Sequence, residues 1–156
     1  MEEKTNVMRV LDQKKIPYQS HTYLESGAIS GVEVAEVLGQ PMEKVFKTLV
    51  TVGKTGKFYV YFIPVAEELD LKKAAKAVGE KSIEMLKSKE LLPLTGYIHG
   101  GCSPIGMKKF FRTTIHESVL DLERFCFSAG KIGYQVEMSP EDLKKVIRYE
   151  TADLVL

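Results

Sequence analysis

Val45-Phe46-Lys47-Thr48-Leu49-Val50-Thr51-Val52, then Gly53-Lys54-Thr55-Gly56, then Phe58-Tyr59-Val60-Tyr61-Phe62-Ile63, is the stretch on which the fold turns. Two β-branched and aromatic runs flank a glycine-bounded turn, which predicts an antiparallel hairpin. Outward from it, helices and strands alternate irregularly. Upstream, Val7, Val10 and Leu11 fall at helical spacing over residues 5–15, and Ile16-Pro17 ends that helix. Tyr18 to Tyr23 reads as a strand. Ser30-Gly31-Val32-Glu33 forms a capping box for a helix closed by Gly39. Downstream, Asp70 caps a helix carrying Leu71, Ala74, Ala75 and Val78 and ended by Gly79. Ser82 to Leu92 reads as helical, and Gly96 to Gly106 as a glycine-rich loop. Thr113–His116, Phe125–Ser128 and Tyr134–Met138 read as strands. Ser139-Pro140-Glu141-Asp142 starts a last helix, with a serine cap and proline in the first turn. Hairpins among interleaved short helices favour an α+β mixed sheet over a doubly wound parallel one.

The chain has 156 residues, 22 Lys and Arg against 21 Asp and Glu, and a net charge of +1. That length fits one domain over residues 1–156 and buries about two-thirds of the unfolded surface without a disulfide or metal staple. A 44% hydrophobic, 28% charged composition excludes a disordered chain and a highly basic nucleic-acid coat. Cys102 and Cys126 form no C-x-x-C pair, so free thiols in a reducing cytoplasm are expected. Met1 to Asn6 lacks the apolar stretch of a secretory signal, and the longest apolar run, Tyr59 to Ala66, contains Pro64 and is too short for a bilayer.

Several motifs fail on inspection. Gly53-Lys54-Thr55 ends like a phosphate-binding loop, but Thr48 stands where that pattern needs glycine, and the segment is a predicted hairpin. His21, His99 and His116 lack metal-ligand spacing, so no metal or other cofactor is expected. No G-x-S-x-G elbow is present. Three features carry more. Lys47 interrupts an apolar run, either as an edge-strand gatekeeper or as a cation held in a cleft for an anionic group. Thr48 beside it can add a hydrogen bond by its backbone or hydroxyl. The loop Thr95-Gly96-Tyr97-Ile98-His99-Gly100-Gly101-Cys102-Ser103-Pro104-Ile105-Gly106 either makes two tight turns or presents backbone N–H groups to an oxyanion. Lys108, Lys109 and Arg112 follow it with no acid between 100 and 116, giving a local charge of +3 that is either a phosphate contact or a solvated face. Ser128-Ala129-Gly130-Lys131-Ile132-Gly133 reads as a strand connection, functional only if it faces the same cleft as Lys47.

In order along the chain, His21-Thr22-Tyr23, Val45-Phe46-Lys47-Thr48-Leu49, Pro64-Val65-Ala66 with Leu69-Asp70-Leu71-Lys72-Lys73, Thr95-Gly96-Tyr97, Gly100-Gly101-Cys102-Ser103-Pro104-Ile105-Gly106-Met107-Lys108-Lys109 and Ser128-Ala129-Gly130-Lys131 together resemble the YbaK/EbsC family of cysteinyl-tRNA(Pro) deacylases. That family is related to the editing domain of bacterial prolyl-tRNA synthetases, and the resemblance covers nearly the whole chain. It implies a compact α+β domain around a mixed, barrel-like sheet with one cleft and short flanking helices. It implies proofreading in trans, because a synthetase pocket that admits proline discriminates against cysteine by only about 1–3 kcal/mol.

The implied chemistry uses no enzyme nucleophile. The substrate's own thiol attacks its ester, and the protein positions the ester and supplies oxyanion donors. The resemblance gives Lys47 the terminal phosphate or ribose, gives Gly100 and Gly101 the donor role, and puts Tyr23, Ile29, Thr48, Ser103, Pro104, Ser128 and Gln135 around the substrate. Cys102 falls at a variable position and is not expected to act as a nucleophile. Two positions depart from the pattern: Ile29 stands where the family often has phenylalanine, and Gln135 where it often has aspartate. Expected partners are the 3′ end of an aminoacyl-tRNA and prolyl-tRNA synthetase. The resemblance also implies Cys-tRNA(Cys) as a substrate. The alternatives are the sister branch that hydrolyses Ala-tRNA(Pro), and a silent module that binds the tRNA end.

Overall fold

The hairpin is the centre of the larger of two sheets. In the computed structural model, which describes residues 4–156, the elements run α1 (Asn6–Gln13), β1 (Gln19–Thr22), α2 (Gly31–Leu38), β2 (Phe46–Gly53), β3 (Phe58–Pro64), α3 (Leu71–Val78), β4 (Ile83–Met85), α4 (Ser88–Thr95), β5 (Arg112–His116), β6 (Phe125–Ser128), β7 (Tyr134–Met138), α5 (Pro140–Leu143) and β8 (Glu150–Ala152). Met1 to Glu3, part of the stretch read for a secretory signal, lie outside the described residues. Strands β2 and β3 pair antiparallel from Phe46↔Pro64 to Val52↔Phe58. The five-stranded sheet has the order β4-β2-β3-β5-β8, with β5 parallel to β3 and β8 parallel to β5. A second, antiparallel sheet has the order β1-β7-β6. A parallel bridge between Val45 and Cys126 joins the two, so the mixed, barrel-like arrangement expected of this α+β chain consists of two sheets meeting along β2 and β6.

Alternation decides which residues hold the sheets together. Phe46, Val50, Val60 and Phe62 face the main core with Phe125 and Phe127, whereas Tyr59, Tyr61 and Ile63 face α3. Phe46, Phe62, Phe125 and Phe127 form tilted and edge-to-face contacts with centroids 5.1–5.5 Å apart, each such pair adding about 0.5–1.5 kcal/mol beyond the area it buries. The Tyr61 hydroxyl, donating to Ala74 O at 2.7 Å, ties α3 to the sheet.

The helices start where their caps require. The Ser30 hydroxyl accepts from Glu33 N and the Glu33 carboxylate accepts from Ser30 N, closing the predicted box on α2. Asp70 Oδ1 accepts from the amides of Lys72 and Lys73 and starts α3. One reading is corrected. Ser82–Leu92 is not one helix: Ile83–Met85 is an edge strand pairing with Thr51–Gly53, buried only at Ile83, and α4 starts at Ser88. The helix at Pro140 is a single turn, and the short parallel strand β8 after it gave no sequence signal.

Candidate functional site: a cavity at the open edge of β2

A cavity of about 450 Å³ opens where β2 runs past the end of β4. The hydrogen-bond pattern explains the gap. Val65 N donates to Val45 O and Gly53 N to Lys57 O, so bonding with the β3 side recurs at every second residue of β2 and the Thr48 amide points away from β3. On that opposite edge, the Val45–Cys126 bridge closes one end and Leu86 N donates to Val50 O at 3.1 Å at the other. Between those points no strand among the described residues pairs with this edge of β2, and Phe46 to Val50 line the cavity.

The polar residues expected from the sequence converge here in large part. Tyr23, Ile29, Lys47, Thr48, Gly100, Ser128 and Gln135 all line the cavity. Lys47 forms no ion pair with a carboxylate among the described residues, and no aspartate or glutamate is part of the lining. Burial holds its ammonium below the usual lysine range, with Glu68 and then Glu67 partly offsetting that effect from a distance. The Thr48 hydroxyl oxygen is buried without a hydrogen-bond partner, which is costly unless a ligand supplies one. The Ser128 hydroxyl oxygen accepts from Gly130 N at 3.1 Å, leaving its proton available to a guest. Burial raises the Tyr23 phenol above its ordinary value, with the Gly133 backbone opposing the shift.

The other expected residues are placed differently. The Gly101 amide donates to Ile98 O at 3.0 Å within the loop and is unavailable as a donor, and Gly101 does not line the cavity. Gly100 keeps φ at +87° and no described group accepts from its amide. Ser103 is fully buried, its hydroxyl accepting from Ile105 N at 3.3 Å, and Pro104 sits on a separate depression of about 140 Å³. Neither reaches the cavity. Arg112, read as part of a basic patch, is paired with Glu150 at 2.8 Å. The charge of that stretch is therefore smaller than its composition suggests.

Residues not assigned to the site from the sequence complete the walls: Val32 and Val34 of α2, Leu86 and Leu91 on the far side, and His99. Cys102 is in the wall too. Burial pushes its thiol up to about 12, which keeps it protonated and a poor nucleophile. His21, Cys126 and Glu137 bring a ring nitrogen, a thiol and a carboxylate within 4.8 Å of one another, a cluster that the histidine spacing hid. The Glu137 carboxylate there is bonded to His21 at 2.8 Å and to Arg124 at 3.0 Å.

The scaffold that holds this cavity matches a known family, the aminoacyl-tRNA editing domain. The family model for that domain matches residues 26–146, and the chain belongs to this family. It is 47% identical over 155 residues to a candidate Cys-tRNA(Pro)/Cys-tRNA(Cys) deacylase, EbsC, of Enterococcus faecalis, spanning 98% of this chain and 94% of that protein. A proline–tRNA ligase of Thermosipho africanus is 34% identical over 77 residues, 49% of this chain and 14% of the ligase. The crystal structure of a candidate trans-editing enzyme for prolyl-tRNA synthetase superposes with a TM-score of 0.86 at 24% identity, covering 97% of this chain and 95% of that one, which establishes the shared fold. Among the described residues, no helix is long and apolar enough to cross a membrane.

Proposed function

We propose that residues 1–156 act as one trans-editing deacylase that removes cysteine from mischarged Cys-tRNA(Pro), and also from Cys-tRNA(Cys). The observation that carries this reading is the chemistry of the cavity wall, which among the described residues has one unpaired lysine, an orphaned threonine hydroxyl, a free glycine amide and no carboxylate. Such a site binds an anionic tRNA end and stabilises negative charge, but it offers no activated protein nucleophile.

The nucleophile is then the substrate's own thiol. Its sulfur attacks the ester carbonyl carbon, the new C–S bond closes a thiolactone, the ester C–O bond breaks, and the released tRNA hydroxyl takes the thiol proton. The thiolactone subsequently hydrolyses in water to cysteine. Lys47 holds the terminal adenosine through its phosphate or ribose. The Thr48 and Gly100 groups face the developing oxyanion, and Tyr23, Ile29, Ser128 and Gln135 enclose the aminoacyl group. Holding thiol and ester in contact is where the rate gain originates.

A near-neutral chain discriminates poorly between acceptor stems. Prolyl-tRNA synthetase is therefore the partner that supplies tRNA(Pro), in a cytoplasmic setting. The test replaces the substrate sulfur with oxygen. Cys-tRNA(Pro) is expected to lose its amino acid and release a trappable thiolactone, while Ser-tRNA(Pro) persists. Equal turnover of both would remove the thiol from the mechanism.

A further inference from the structure

Gln135 is 2% exposed in the middle strand of the antiparallel sheet, directly opposite Ser128 in β6. Its carboxamide has a reciprocal partner 95 residues away: Gln40 Nε2 donates to Gln135 Oε1 at 2.7 Å, and Gln135 Nε2 donates to Gln40 Oε1 at 2.9 Å. Gln40 is itself held in place, because its backbone N–H donates to Ala35 O at 2.9 Å as the chain leaves α2 through left-handed Gly39. The opposite end of α2, Ser30 to Val32, forms part of the cavity wall.

Two planar amides bonded in this way orient each other. Flipping either one sets nitrogen against nitrogen and oxygen against oxygen and breaks both bonds. Each amide keeps one further N–H and one further lone pair, and Gln135 is among the residues that line the cavity. A carboxylate at 135 could accept from Gln40 Nε2 but would leave Gln40 Oε1 without a donor and bury a negative charge in the wall. The amide at 135 is thus matched to the amide at 40.

We propose that Gln40 is a positioning residue for the editing reaction, fixing the orientation of the Gln135 carboxamide at the substrate and the spacing between α2 and β7. The inference rests on the deacylase reading above. It is tested with Gln40→Ala, Gln135→Ala, their double variant and Gln40→Glu, measuring kcat and KM on Cys-tRNA(Pro) at a temperature where thermal unfolding shows each variant folded.

Gln40→Ala is expected to lower kcat about tenfold with KM changed by less than about twofold, and the double variant to be no slower than Gln135→Ala. Gln40→Glu adds a readout that a merely structural role would not move. Its ionised carboxylate cannot donate to Gln135 Oε1, whereas the protonated acid restores one donor and one acceptor, so its activity relative to wild type rises as pH falls. The other charged groups near this pair, His21, Cys126 and Glu137 on that face of the sheet with Arg124 and Lys44, are common to both proteins. A Gln40→Glu/Gln135→Ala variant, which keeps the new carboxylate without its partner, serves as the control for its effect on them. An unchanged kcat in Gln40→Ala, multiplicative losses in the double variant, or a ratio flat with pH would each overturn the inference while the wild type remains active. An inactive wild type would overturn the deacylase reading and this inference with it.

Discussion

Ile29 closes over Gly100: a Cβ on Gly100 would meet Ile29 Cγ2 at 2.9 Å, and Gly100 already holds φ at +87°. The rim of the cavity therefore rests on a residue without a side chain, in a backbone region that costs other residues about 1–2 kcal/mol. Gly100→Ala is expected to lose about that much stability in urea unfolding and to slow deacylation by displacing its amide. Gly101 differs, since a Cβ there would meet backbone, Ile132 N at 3.1 Å and Lys131 Cα at 3.3 Å. Gly101→Ala forces two loops apart and is expected to cost about 1–3 kcal/mol. Wild-type stability in either variant would contradict this packing.

Lys47 trades stability for function. Burial lowers its folded pKa below the unfolded value, so the native state carries a penalty while the lysine is protonated in both states. That penalty fades as pH rises through the lowered pKa, because the unfolded chain then binds more protons. Lys47→Met is expected to be at least as stable as wild type near pH 7, with its advantage narrowing toward alkaline pH, and to lose at least about a hundredfold in kcat/KM. Thermal unfolding across pH, paired with deacylation rates, checks both halves.

Thr48→Val removes an orphaned buried oxygen at almost constant volume. An unsatisfied buried hydroxyl costs about 1–3 kcal/mol, so the variant is expected to unfold at higher urea while its turnover falls about tenfold. Lower stability would mean that the hydroxyl has a partner in solution.

Cys102 lines the cavity with a thiol pushed up to about 12. Cys102→Ala is expected to keep deacylation within about threefold of wild type. In the native wild type, the thiol is expected to react with a disulfide reagent far more slowly than after unfolding. Abolished turnover would make this thiol, not the substrate's, the nucleophile.

What could be read from the chain follows from how local each signal is. The hairpin, the Ser30 capping box and the Asp70 cap are set by neighbouring residues, and each forms where it was expected. Ile83–Met85 was hidden because a three-residue edge strand is too short to show a period of two inside a run that also fits a helix. β8 is equally short, and each of its residues pairs in parallel with a β5 residue 36 positions away. At the site, seven residues named from the sequence do line one cavity. Whether Gly101 keeps its amide free, or Ser103 turns inward, depends on turn geometry that glycine and serine both permit in several forms. Gln40 had no local mark at all, because its meaning lies in a partner on β7.

The most direct measurement is deacylation of Cys-tRNA(Pro) and Ala-tRNA(Pro) side by side, by wild type and Lys47→Ala. Fast loss of cysteine alone, abolished in the variant, is the predicted result. Preferential loss of alanine, or cysteine release unaffected by Lys47→Ala, would contradict the account.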